Sequence, residues 1–189
     1  MDADFDAAVL GLALPPMVEA ALAEAGAQRG DPVRAMAALM RAQSLAPEHP
    51  AVLIAFYRHH FYGHRLMMAR DVARRALRVG ARALGLPGVW REVPEAPLAG
   101  ARHDAATRFY LFVLKGYAYL SLRLDDAVEA RDALALLRAL DPDDCVGAAL
   151  LEAVRQRSLA GLGGDEDGDD TVYVQATGAA AWAQLPVAA

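Results

Sequence analysis

An all-α chain of antiparallel helix hairpins is what this sequence predicts, on three observations. Apolar residues recur with helical periodicity from about residue 16 to 160. Proline and glycine punctuate that stretch at intervals suited to helix pairs. Two segments also superimpose when the chain is shifted by 34 residues: Ala35, Arg41, Ala42 and Leu45 fall onto Ala69, Arg75, Ala76 and Val79, and Val18, Ala21 and Leu22 fall onto Val52, Ala55 and Phe56. Self-similarity at such a period marks stacked supersecondary units, each able to bury its apolar face only against its neighbours.

The elements follow from local sterics. Pro15-Pro16 starts a helix that runs through Val18, Ala21, Leu22 and Ala25 to the Gly30-Asp31-Pro32 turn. Proline just inside a helix start loses no hydrogen bond, because the first amides have no intrahelical acceptor. A second helix spans about 32–45 and ends at Ala46-Pro47, since the residue before proline is pushed out of the α region. The third, about 50–62, opens at a proline and closes at Gly63 and His64. The fourth carries Leu66, Ala69, Val72, Ala73, Ala76 and Leu77 to about Leu84, where Gly85-Leu86-Pro87-Gly88 stops it.

An irregular linker is expected over 86–103, rich in proline and glycine. Helices resume at about 104–122 and 125–140. Asp141-Pro142-Asp143-Asp144 is read as ending that pair and capping a last helix to about 160, giving seven helices, or eight if residues 4–13 add one. One helical domain, 1–160, is thus followed by a flexible acidic tail, 161–189, in which residues 171–175 have strand propensity.

Bulk composition narrows the function classes. With 56% apolar residues and 23% charged among 189, the chain can bury a substantial core. The acidic N-terminus lacks the positive charge of a secretory signal, and no apolar run approaches the roughly 20 residues that span a bilayer, so a cytoplasmic location with no membrane partner is expected. The lone Cys145 rules out an intramolecular disulfide and a cysteine-based zinc site, and reads as a small buried apolar group. The net charge of -5 resides in Asp165, Glu166, Asp167, Asp169 and Asp170; the remaining 19 of 24 acids balance 19 basic residues. A neutral body with an acidic tail speaks against nucleic acid as a partner.

The second halves of the two superimposable units resemble the tetratricopeptide consensus: Ala35, Leu39, Ala42 and Pro47 in one, Ala69, Ala73 and Ala76 in the next. A third unit is similar in its Gly116 and Tyr119 and in its terminal Pro142. The resemblance implies a tetratricopeptide-like solenoid of about three hairpins with a C-terminal capping helix. It also implies a concave groove lined by the first helix of each hairpin: Met17, Ala20, Glu24 and Gln28, then Ile54, Arg58, Phe61 and Tyr62, then Tyr110, Val113, Tyr117 and Leu120. Such a groove suits a peptide or amphipathic helix, aromatic residues supplying area and arginine fixing a carboxylate. The alternative is that Phe61, Tyr62 and Tyr117 pack against the linker or the last helix. Chaperone-binding members clamp a terminal carboxylate with asparagines and lysines, and this chain has no asparagine and one lysine, Lys115.

Three constellations carry chemistry on paper. Within Arg58-His59-His60-Phe61-Tyr62-Gly63-His64-Arg65, His60 and His64 are spaced as two ligands on one continuous helix face would be, yet a turn at Gly63 would separate them and no third ligand is obvious. Arg70, Arg74, Arg78 and Arg82 form a ridge with Arg75 beside it, read as solvated surface or as a basic strip for an acidic partner such as the 165–170 run. Asp165-x-Asp167-x-Asp169 has the start of a calcium loop, but Asp170 and Ala176 stand where glycine and a bidentate acid belong. Ser44, Ser121 and Ser158 are the only serines, and no phosphate loop is present.

These observations predict a noncatalytic protein-interaction adaptor with no cofactor and no bound metal, taking a protein or peptide partner. A small-ligand or metal-binding accessory module at His60 and His64, and a self-assembling homo-oligomeric scaffold, are the alternatives. The segments Phe56–Arg65 and Arg108–Leu124 also resemble bacterial proteins associated with nitrogen-fixation genes, which implies a client in metalloenzyme maturation.

Overall fold

A computed structural model describes residues 14–99 and 103–159, and every regular element among them is helical. The helices are α1 (Pro16–Ala27), α2 (Pro32–Leu45), α3 (Pro50–Tyr62), α4 (Leu66–Ala83), a 3-10 turn at Trp90–Glu92, α5 (Ala105–Arg123), α6 (Ala127–Leu140) and α7 (Ala149–Leu159). The chain divides into two units, and α7 belongs to the second, beyond Ala148. Residues 4–13 and the tail 161–189 lie outside the described residues.

Helix starts are set by small local devices. Asp31 caps α2, its carboxylate accepting from the amides of Val33 and Arg34 at 3.1 Å each. His49 caps α3 through Nδ1, which accepts from Ala51 N–H at 3.2 Å. Proline is at or near the first helical position of α1, α2 and α3. Three helices end alike. At the end of α4, Leu86 N–H reaches back to Ala81 O at 2.8 Å and Gly85 N–H to Arg82 O at 3.3 Å, with Gly85 left-handed at φ +67°. The same pair of bonds closes α3 around His64 (φ +55°) and α5 around Asp125 (φ +56°).

Neighbouring helices pack in a hairpin-like series: α1 on α2, α3 on α4, α4 on α5, α5 on α6, with a lesser contact of α2 on α3. Small side chains make the close approaches possible. Ala35, Ala38 and Ala42 of α2 and Ala69, Ala73 and Ala76 of α4 are buried, as the 34-residue echo requires. At Gly80 an added β-carbon would stand 3.2 Å from the rings of both Phe109 and Tyr110, so glycine there lets α4 meet α5. Around α5 the burial is deepest: Phe109, Tyr110, Leu111, Leu114, Tyr117, Ala118 and Leu120 have no exposed surface.

The linker is irregular, as expected, but is tied down. Val93 is buried, Trp90 lies against Tyr117 with ring centroids 5.8 Å apart, and Leu98 N–H donates to Leu140 O at 2.9 Å. The 141–148 segment departs from the reading of the sequence. Asp141 and Asp144 do not cap a helix there; their carboxylates accept from the amides of Val146 and Ala148 in a turn with Gly147 at φ +70°. Helix α7 therefore begins only at Ala149. The lone lysine closes this turn, Lys115 Nζ donating to Val146 O at 2.7 Å. Cys145 is half-buried rather than fully enclosed.

Candidate binding surface at the α3–α4 turn

The C-terminal half of α3 presents an aromatic run whose helical spacing sorts it into an inner and an outer face. Inward lie Phe56 and His60, one turn apart, with ring centroids 6.1 Å apart. Tyr57 stacks on Phe61 at 5.8 Å with the planes 7° apart, and Phe61 meets Tyr119 of α5 at 5.9 Å. Tyr119 accepts from Arg123 Nη1 at 2.9 Å. Gly116 faces Tyr57: a β-carbon there would stand 3.1 Å from the Tyr57 hydroxyl. Tyr57 Oη, His59 Nε2 and His60 Nδ1 are buried with no hydrogen-bond partner among the described residues.

The turn itself puts different groups outside. Gly63 is bare enough for the Arg65 guanidinium to fold across it; an added β-carbon would come within 3.0 Å of both Arg65 Nη2 and His59 O. Arg65 donates to His59 O at 3.4 Å, a contact that positions its charge without neutralising it. Close to it in sequence, Tyr62 is 53% exposed, Met67 58% and Met68 51%. The inward face of α4 begins immediately after them, at Ala69, Val72 and Ala73.

Electrostatics at the turn are one-signed in sequence. No carboxylate occurs from Pro50 to Arg70, whereas Arg58, Arg65 and Arg70 all do. Arg70 is buried and paired with Asp126 at 3.0 Å. Burial first, and the Arg65 charge second, lower the pKa of His59 and His60, so both imidazoles are neutral at pH 7. Most of the arginine ridge is engaged by other groups of the chain. Arg74 bonds Tyr117 and Asp71, Arg75 donates to Pro47 O at 3.3 Å, and Arg82 pairs at the surface with Glu48 at 2.8 Å; Arg78 and Arg82 are the ridge's exposed members.

The expected groove residues separate into three groups. Tyr110, Tyr117 and Leu120 are wholly buried, so the third hairpin does not contribute them to an open groove; Tyr117 packs on the linker through Trp90. Phe61, at 9% exposure, belongs to the core edge, and Ile54 and Val113 pack against the core as partly buried side chains. Glu24 is exposed but engaged by Arg41 of α2, Gln28 ends α1 half-buried, and Met17 and Ala20 are exposed. Arg58 is half-buried, and Tyr62 alone of the expected aromatics is fully at the surface. His60 and His64 do not share a face, because α3 stops at Tyr62 and His64 takes the left-handed position of the turn. Among the described residues no three His, Cys, Asp or Glu side chains gather as a metal-holding group.

Sequence reasoning passed over Met67, Met68 and Trp90, and took Tyr119 only as a repeat-consensus position. The signal was present for the methionines: they precede the first inward alanine of α4 by one and two positions, outside its apolar stripe.

No family model and no solved structure matches the chain. An uncharacterized 19.8 kDa protein in the nifW 5′ region of Azotobacter chroococcum mcd 1 is 38% identical to it over 150 residues, covering 78% of this chain and 84% of the relative. Among the described residues no helix is long and apolar enough to cross a membrane.

Proposed function

We propose, for a chain that belongs to the family of the Azotobacter chroococcum protein of the nifW 5′ region, a noncatalytic adaptor role: a tetratricopeptide-like helical array that captures a peptide or helix of a partner protein. The observation that carries this reading is the exposure of three large apolar side chains, Tyr62, Met67 and Met68, within seven residues at the α3–α4 turn. Exposed apolar groups gathered on a rigid helix pair favour protein contact, and methionine adapts its shape to an apolar partner.

Two of the three serine hydroxyls are in keeping with a noncatalytic reading. Ser121 is buried and donates to Tyr117 O at 3.0 Å, and Ser44 donates to Arg41 O at 2.8 Å, so both are spent on helix carbonyls. The relative's position beside nifW favours a client among proteins of nitrogen fixation, in keeping with a role in metalloenzyme maturation. The test is affinity capture from cells with the full chain and with Tyr62→Ser/Met67→Ser/Met68→Ser. Loss of a discrete captured protein in the variant, with unchanged helix content, supports the role; identical capture by both removes this surface from it.

A further inference from the structure

We infer that the α3–α4 surface selects an acidic segment bearing apolar side chains, its carboxylates meeting Arg65 and its apolar groups lying on Tyr62, Met67 and Met68. This rests on the adaptor reading and adds the chemistry of the partner.

Charge complementarity carries it. From Pro50 to Arg70 the chain is free of carboxylates, so nothing within the run offsets its arginines. Three nearby carboxylates are already engaged: Glu48 by Arg82 at 2.8 Å, Asp71 by Arg74 at 3.0 Å and Asp126 by Arg70 at 3.0 Å. Arg65 differs from those three arginines in donating to a neutral carbonyl. The bare face of Gly63 leaves room for that guanidinium beside the turn, where it donates to His59 O at 3.4 Å and is partly oriented before a partner arrives. An arginine so placed offers a fork of N–H donors to a carboxylate, which a lysine could not match. The adjacent apolar side chains, each more than half exposed, give a partner a reason to stay that salt does not screen.

A neutral or basic segment would meet this cation without compensation. A second copy of this chain, docking turn to turn, would bring two Arg65 side chains together. His59 and His60 add no second charge at neutral pH, because burial holds their pKa values below the ordinary imidazole range.

The probe is a phage-displayed library of random 12-residue peptides, panned on the full chain at pH 7.5. Enriched peptides combine Asp or Glu with Leu, Phe or Met, and a chosen peptide binds about fivefold more weakly to Arg65→Glu. Panning on Arg65→Glu then shifts enrichment toward Lys and Arg. Neutral or basic peptides enriched on the unaltered chain, or enrichment indifferent to Arg65→Glu, overturn the acidic chemistry while leaving the adaptor role standing. Acidic binding that persists in Met67→Ser/Met68→Ser overturns this surface as its location. No enrichment at all overturns both. The substituted side chains are exposed, so loss of folding does not confound the comparison; circular dichroism of each variant verifies this.

Discussion

Arg74 Nε donates to the Tyr117 hydroxyl at 3.1 Å, and Tyr117 in turn donates to the Glu129 carboxylate, so one phenol links α4, α5 and α6. Arg91 of the linker closes on the same carboxylate. The arrangement takes Tyr117 out of any open groove and makes it the polar centre of a three-helix contact. Burial, and then the Glu129 contact, push its pKa up, so it stays a neutral donor across the physiological range.

Tyr117→Phe should therefore leave Arg74 and Glu129 each short of a partner and cost about 1–2 kcal/mol. A fall in melting temperature of roughly 2–8 °C is expected for a domain of this size. Partner capture is expected to survive. Thermal denaturation followed by circular dichroism measures the first, and the peptide assay the second.

Gly116→Ala places a β-carbon 3.1 Å from the Tyr57 hydroxyl, closer than ordinary contact. Overpacking of this kind costs about 1–3 kcal/mol, against a helix-propensity gain of about 1 kcal/mol. Tyr57→Phe removes the hydroxyl, which has no partner and is buried, so it should be neutral or slightly stabilising alone. Joined to Gly116→Ala it should restore the lost stability. A urea-denaturation cycle of the four proteins checks this, and additive effects would show that the two groups do not touch.

His64 occupies the left-handed region at φ +55°, where glycine is favoured. Replacing it with glycine should raise stability by about 0.5–1 kcal/mol, the relief of strain exceeding the added chain entropy. The same variant bears on the metal reading. If His64 were a ligand, His64→Gly would lose bound metal in elemental analysis; on the geometry described, metal content should be unaffected.

Acidification should weaken the fold through His59 and His60. Their folded pKa values are lowered by burial from 6.5, so between the folded and unfolded values the unfolded chain binds more protons and stability rises with pH. The melting temperature is expected to fall as pH drops from 7 toward 5, above the range in which Glu48, itself held below the carboxylate norm by Arg82, would protonate. His60→Phe should flatten that slope. An unaltered slope in this variant would place the titration elsewhere.

Much of the fold was legible because prolines act locally. Both ends of α2 and of α3 fall where Pro32, Pro47, Pro50 and Gly63 put them, since a fixed φ and a missing amide need no tertiary context. The start of α7 was misread for a related reason: Asp141 and Asp144 can satisfy amides in a turn as readily as at a cap, and here Val146 and Ala148 take them. The site was less legible. Helical spacing gives a side chain's direction on its own helix but not what the rest of the chain lays over it. Tyr117 is buried by Trp90 and by α4 and α6, and nothing in the 34-residue echo announced that the linker would return to cover it.

The adaptor reading is tested most directly by a photoreactive benzoylphenylalanine placed at Met67 and, separately, at Val33, which is 79% exposed on α2 and far from the turn in sequence. On irradiation in cells, the position-67 protein should yield a discrete covalent adduct with another protein, and the position-33 protein should not. No adduct from position 67, or equal adducts from both positions, would contradict capture at the α3–α4 turn.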